Sequence, residues 1–188
     1  MKIHIITDDV VQEQRLIDYA LATQHMIDYL HIRLYDYDAA QLFNVTTKLM
    51  ASGFPRQKLV IHDRIDVAIA CGISTVQLGY RSMDVATVRN SFPQLTIIES
   101  VHSVEEANTS KADIVLFGHI FPTASKQNLP TRQLSDLTQI AKEMIVIGGI
   151  KPSNIHKLQS YNVAIMSTFW QSDEPITLIH NYKEGMGK

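Results

Sequence analysis

Short apolar runs of strand length recur along the chain, each followed by a stretch whose apolar residues fall at helical spacing. This pattern predicts strands over 3–6, 29–33, 58–61, 75–78, 95–98, 114–117, 144–147 and 163–166. Helices are predicted over 12–25, 38–51, 66–70, 85–92, 104–108, 135–142, 152–159 and 175–183, the third to fifth being very short. Regular alternation of the two element types implies parallel pairing, because a helix must carry the chain back across the sheet before the next strand. Six units could form an open sheet. Eight favour closure into a compact (β/α)8 TIM barrel of the α/β class, since closure removes both edges. With 188 residues the barrel is a tight one, as such folds usually take roughly 200 residues or more. No linker or low-complexity tract divides the chain, so residues 1–188 read as a single domain.

Composition narrows the function classes. Hydrophobic residues make up 45% and charged residues 19%, enough apolar material for a sizeable core. A formal net charge of −2, with no basic helix, arginine stripe or aromatic platform, argues against a nucleic-acid partner. No apolar run is long enough to cross a bilayer, and the N-terminus turns acidic too soon for a signal peptide. A cytoplasmic protein without membrane contact is the expectation. Cys71, the lone cysteine, excludes an internal disulfide and reads as a buried small hydrophobe. No metal-ligand spacing is present, so no cofactor is expected. His4, His25, His156 and His180 read as strand or helix surface residues.

In a barrel of this kind the chemistry lies at the C-terminal ends of the strands. Asp8, His62-Asp63, Gln77, Gly79, Ser100 and His102 fall there. Alternation over 29–33 puts Leu30 and Ile32 on one face and His31 and Arg33 on the other, pointing inward. Arg33 then serves an anionic ligand or pairs with a carboxylate such as Asp63. Gly148-Gly149 ends the seventh strand before the predicted helix over 152–159, and Met166-Ser167 ends the eighth. Small residues let backbone amides approach a phosphate, and the loops after strands seven and eight are its usual seat in this fold. The loop over 117–128 is long for a strand–helix connection, which marks it as functional. It carries the imidazole of His119, hydroxyls at Thr123 and Ser125, and the Lys126 ammonium. Histidine is the natural acid/base near neutral pH, although His119 could equally cap a strand and bond a carbonyl. Phe169-Trp170 reads as exposed, covering the barrel or joining copies of the chain, which leaves a homo-oligomer open.

Several motifs in order carry a family resemblance: His31-Ile32-Arg33, Lys58-Leu59-Val60-Ile61-His62-Asp63-Arg64 and Ser100-Val101-His102-Ser103. Phe117-Gly118-His119-Ile120-Phe121-Pro122-Thr123, Val146-Ile147-Gly148-Gly149-Ile150 and Ala164-Ile165-Met166-Ser167 complete the set. Over nearly its whole length the chain resembles the thiamine phosphate synthase/TenI superfamily. The resemblance implies a barrel that binds a small-molecule thiazole phosphate at the strand ends. Two activities occur there. The synthases couple a pyrimidine diphosphate to the thiazole phosphate with magnesium, using a Q-x-R-x-K motif and an aspartate pair. Here the motif positions read His31, Arg33 and Tyr35, and the aspartate pair reads Asp63 and Ser82. TenI-like tautomerases have a catalytic histidine where the synthases have proline, and this chain has His119. Asp63, Thr123, Ser125 and Lys126 match both types.

The resemblance thus implies a tautomerase that aromatises a carboxythiazole phosphate, with His119 moving one proton between two carbons and no metal. The phosphate is expected on the Gly148, Gly149, Met166 and Ser167 backbone, with His31, Arg33, Ser100, Thr123, Ser125 and Lys126 completing the substrate contacts. Arg33, Ser125 and Lys126 are the candidates for the substrate carboxylate. The alternatives are the magnesium-dependent synthase and a barrel that binds a pathway ligand without catalysis.

Overall fold

The computed structural model describes residues 1–123, 126 and 129–187. Its strands are β1 (Ile3–Ile6), β2 (Tyr29–Ile32), β3 (Leu59–His62), β4 (Thr75–Leu78), β5 (Thr96–Val101), β6 (Ile114–Gly118), β7 (Met144–Ile147) and β8 (Asn162–Ile165). They pair in chain order, all parallel, and β8 returns to β1 to close the barrel. The helices outside it are α1 (Glu13–Thr23), α2 (Ala39–Ala51), α3 (Ile65–Ala70), α4 (Val85–Ser91), α5 (Val104–Thr109), α6 (Ser167–Trp170) and α7 (Pro175–Met186). The eight-strand barrel expected from the apolar pattern is therefore the one observed. Helices α3, α4 and α5 have six, seven and six residues, as short as that pattern required.

Local chemistry explains where helices start and where they fail. Asp38 accepts from the Gln41 amide while the Gln41 side chain accepts from the Asp38 amide, which fixes the first turn of α2. Leu42, Val45 and Leu49 then face the barrel. The helices expected over 135–142 and 152–159 are instead single 3-10 stretches, Leu134–Gln139 and Ile155–Leu158. Asn108 takes the Gln139 carbonyl and the Ala141 amide, drawing the first segment off a helical path. Asn154 binds the Gly149 carbonyl and the Lys151 amide, which leaves too few residues for α-helical bonding before β8.

Two cores result. The larger lies between strands and helices. The smaller fills the barrel with Ile6, Val60, Ile98, Leu116, Ile145 and Ala164. The buried polar side chains include His4, His31, His62 and Gln77. His4 is thus an interior residue and not the surface histidine expected, because its place in β1 alternates with outward Ile3 and Ile5. Phe169 and Trp170 also depart from expectation, being 1% and 5% exposed. The Trp170 indole donates to the Ile6 carbonyl at 2.7 Å and stacks on Tyr19, so the pair seals the barrel wall and offers no surface to a second copy. Cys71 is buried, as expected. Among the described residues no helix is long and apolar enough to cross a membrane.

Candidate active site

At the end of β6, Gly118 hands the chain to His119 at the C-terminal mouth of the barrel. Beside it β7 ends in Gly148 and Gly149, whose φ angles of +102° and +64° favour glycine. A Cβ at Gly148 would run into the His119 Cα and Cβ, and one at Gly149 into the Phe121 and Pro122 carbonyl oxygens. These two glycines therefore let the β6 loop lie directly on the β7 turn. Two backbone bonds pin it there, Ile120 to Ile147 and Phe121 to Gly148, and Arg132 to His119 closes the loop on itself. Gly149→Ala is expected to cost about 2–4 kcal/mol from the collision and the positive φ together. A fall in the urea midpoint at constant slope checks this.

The His119 ring is 5% exposed, and its Nε2 lies 3.2 Å from the Leu129 carbonyl. A carbonyl only accepts, so Nε2 carries the hydrogen and the lone pair of the neutral ring is on Nδ1. Of the two roles foreseen for this residue, the carbonyl contact is the one observed. Thr123 is partly buried and Lys126 exposed in the same loop, joined by a turn from the Lys126 amide to the Thr123 carbonyl at 3.2 Å. Ser125 lies outside the described residues.

Arg33 follows β2 at the rim. Its guanidinium meets Asp9 Oδ2 at 3.1 Å, lies 3.8 Å from the Met166 sulfur and sits 4.2 Å over the Tyr35 ring. The carboxylate partner is therefore Asp9 from the β1 loop and not Asp63. Arg81 lies over the same Tyr35 ring at 4.6 Å. Asp63, with a φ of +59°, accepts on Oδ1 from the Ser82 hydroxyl, which in turn accepts from the Gly79 amide at 2.9 Å. Asp63 Oδ2 is buried without a partner among the described residues.

His31 requires a correction. It is fully buried, with Nε2 2.9 Å from His4 Nδ1 and Nδ1 2.8 Å from Gln77 Oε1. His62 Nε2 adds a second contact to Nδ1 at 3.2 Å. Both ring nitrogens are spent inside the barrel, so His31 is a core residue and no substrate contact. Burial pushes the ring down to about 4, against a smaller upward effect of Gln77. His4 is pushed to about 2, first by burial and then by His31 and Lys2. His62 is held well below its ordinary value by burial, with His31 and Arg33 adding to it. From Gln77 the network continues to Ser100, whose Oγ accepts from the Gln77 amide at 2.9 Å.

The expected phosphate seat changes in one respect. The turn after β7 leads into a single 3-10 stretch that starts only at Ile155, so no α-helix dipole points at Gly148 and Gly149. At β8, Met166 precedes Ser167, and α6 opens there without a side-chain cap, leaving its first amides without intrahelical acceptors.

A family model described as thiamine monophosphate synthase matches residues 3–169. The chain belongs to that family. The thiamine-phosphate synthase of Pyrococcus abyssi is 28% identical over 172 residues, covering 87% of this chain and 82% of that protein. That of Xanthomonas campestris is 27% identical over 200 residues, covering 97% and 94%. In fold, the thiamine phosphate pyrophosphorylase structure from Pyrococcus furiosus is similar with a TM-score of 0.83 at 21% identity, covering 99% of this chain and 95% of that one.

Within this barrel His119 packs on Gly148 and the Phe121 and Pro122 carbonyls on Gly149, while Met166, just after the neighbouring β8, lies 3.8 Å from Arg33. In sequence, Tyr35 and Ser82 stood out only as motif positions that depart from the synthases, and Asp9 and Arg81 were not candidates. The signal for Arg81 and Ser82 was available, since both follow Gly79 at the end of β4. Nothing local marked Asp9 as the partner of Arg33.

Proposed function

We propose that this member of the thiamine monophosphate synthase family is a tautomerase acting on a carboxythiazole phosphate. The packing of the His119 Cα and Cβ on Gly148 carries the reading, because it sets the imidazole beside the glycine turn proposed to hold the phosphate. His119 Nδ1 takes the proton from the ring carbon that bears the carboxylate. The same nitrogen returns it to the exocyclic alkylidene carbon, so the double bond moves into the ring with no net redox change. The phosphate rests on the Gly148 and Gly149 amides and the opening of α6. Arg33, already at the rim, balances the carboxylate as charge spreads into it.

A second reading, the magnesium-dependent coupling of a pyrimidine diphosphate to the thiazole phosphate, is favoured by the names of the relatives and by the unpartnered Asp63 Oδ2. Magnesium asks for several hard oxygen donors in near-octahedral array. Asp63 offers one free oxygen, its other being taken by the Ser82 hydroxyl. Among the described residues no three His, Cys, Asp or Glu side chains converge on one point. Magnesium is commonly held by one or two carboxylates together with water and substrate phosphates, so Asp63 Oδ2 would be the chain's own donor to it.

Incubating the protein with the dihydrothiazole carboxylate phosphate in deuterated water tests the reading. Aromatic product carrying deuterium at the exocyclic carbon, undiminished by chelator, is the expected result. Coupling of the two phosphates only when magnesium is added, without that isomerisation, would transfer the assignment to the synthase. Tight binding with neither reaction would leave a ligand-binding barrel.

A further inference from the structure

The polar side chains inside the barrel have a fixed direction. Gln77 donates its amide hydrogen to Ser100 Oγ at 2.9 Å, which turns its Oε1 to His31 Nδ1 at 2.8 Å. Oε1 can only accept, so His31 carries its hydrogen on Nδ1 and accepts on Nε2. His4 Nδ1, 2.9 Å away, must then be the donor, and the lone pair of His4 falls on Nε2. His62 Nε2, at 3.2 Å, receives the second share of the His31 hydrogen.

The two ends of this series differ. His4 is 2% exposed, and its Nε2 has no partner among the described residues. The ring lines a cavity of about 80 Å³ with Lys2, Tyr29, Thr75, Thr96 and Asn162, all at the starts of strands or just before them. A water needs about 10–15 Å³ of such space, so several fit and one can donate to the lone pair. At the other end, inward positions of β5 run from Thr96 in the cavity through Ile98 in the barrel core to Ser100 near the mouth. Ser100 Oγ already accepts from Gln77, so its own hydrogen is directed elsewhere.

We propose that His4, His31 and Gln77 are positioning residues, a single oriented relay from the N-terminal cavity that holds the Ser100 hydroxyl as a donor toward a ligand in the mouth. The role given to Ser100 rests on the proposed substrate site, whereas the relay's direction does not. Buried bonds of this kind reinforce one another, and reversing any one of them requires reversing all.

Long-range proton–nitrogen NMR spectra of the whole chain near pH 7.5 read the ring tautomers directly. His4 and His31 are both expected as Nδ1–H forms, and an Nε2–H form of either ring would overturn the relay. Thiazole phosphate, which both the tautomerase and the synthase readings bind, is the probe for the mouth. Gln77→Met is expected to weaken its binding about tenfold, the worth of one hydrogen bond. Introduced into Ser100→Ala, Gln77→Met should change nothing further. An equal tenfold loss in both backgrounds would show Gln77 acting apart from Ser100 and would refute the proposal. None of these readouts uses turnover, so a failed isomerisation assay and a failed relay are told apart.

Discussion

Lowering the pH from 8 to 5 is expected to remove about 4 kcal/mol of stability through His4 and His31 alone. Both rings are neutral inside the barrel, held at about 2 and about 4 by burial. In the unfolded chain they return to the ordinary value near 6.5. Below that pH the unfolded state binds protons that the folded state refuses, so stability rises with pH and falls on acidification. The slope approaches about 1.4 kcal/mol per pH unit for each ring, which amounts to about 2 kcal/mol per ring at pH 5. The effect is fully absent well above 6.5 and grows until the folded rings themselves titrate, about pH 4 for His31. His62 acts in the same direction. Against a net stability of roughly 5–15 kcal/mol this is a large share. Urea midpoints measured across pH 8 to 5 should fall steeply. A flat profile would mean the three rings are not held neutral together.

The barrel itself was legible because each strand is a short apolar run and each return path is helix-like. Its interior was not. All four residues of β1 are buried, His4 among them, as in any parallel strand covered on both faces. Periodicity therefore gave no warning that the inward face carries an imidazole. The same strand logic correctly turned His31 inward, but could not tell a core position from one at the mouth, because that depends on how the neighbouring strands are staggered. Arg33 and Asp9 illustrate a second limit: they sit in different loops, and only the packing of β2 against β1 brings them to 3.1 Å. The Gly148-Gly149 turn was legible as a small-residue strand end. Its pressure on His119, which fixes where the imidazole stands, depends on the registry of β6 with β7, where Gly118 sits opposite Ile147. Both 3-10 stretches escaped notice because asparagine side chains, at Asn108 and Asn154, take backbone groups that a helix would have used.

Replacing His119 by asparagine is expected to lower isomerisation turnover by about 10²–10⁴ while thiazole phosphate still binds. The substitution is chosen for what it keeps. The asparagine Cβ occupies the same place against Gly148, which keeps the backbone packing of the loop, while its shorter amide falls at the Nδ1 position and gives up the Nε2 contact with the Leu129 carbonyl. What is lost is the lone pair on Nδ1 and the capacity to hold a proton between two carbons. A group that acts only in the transition state shows this as a fall in kcat with little change in KM. Steady-state kinetics of the variant beside a binding titration with thiazole phosphate separate the two quantities. Turnover near that of the unsubstituted protein would remove His119 from the proton path, and a parallel loss of binding would make it a structural brace for the β6 loop. The synthase reading makes the opposite demand, since coupling of two phosphates asks for no base at this position and should survive the exchange.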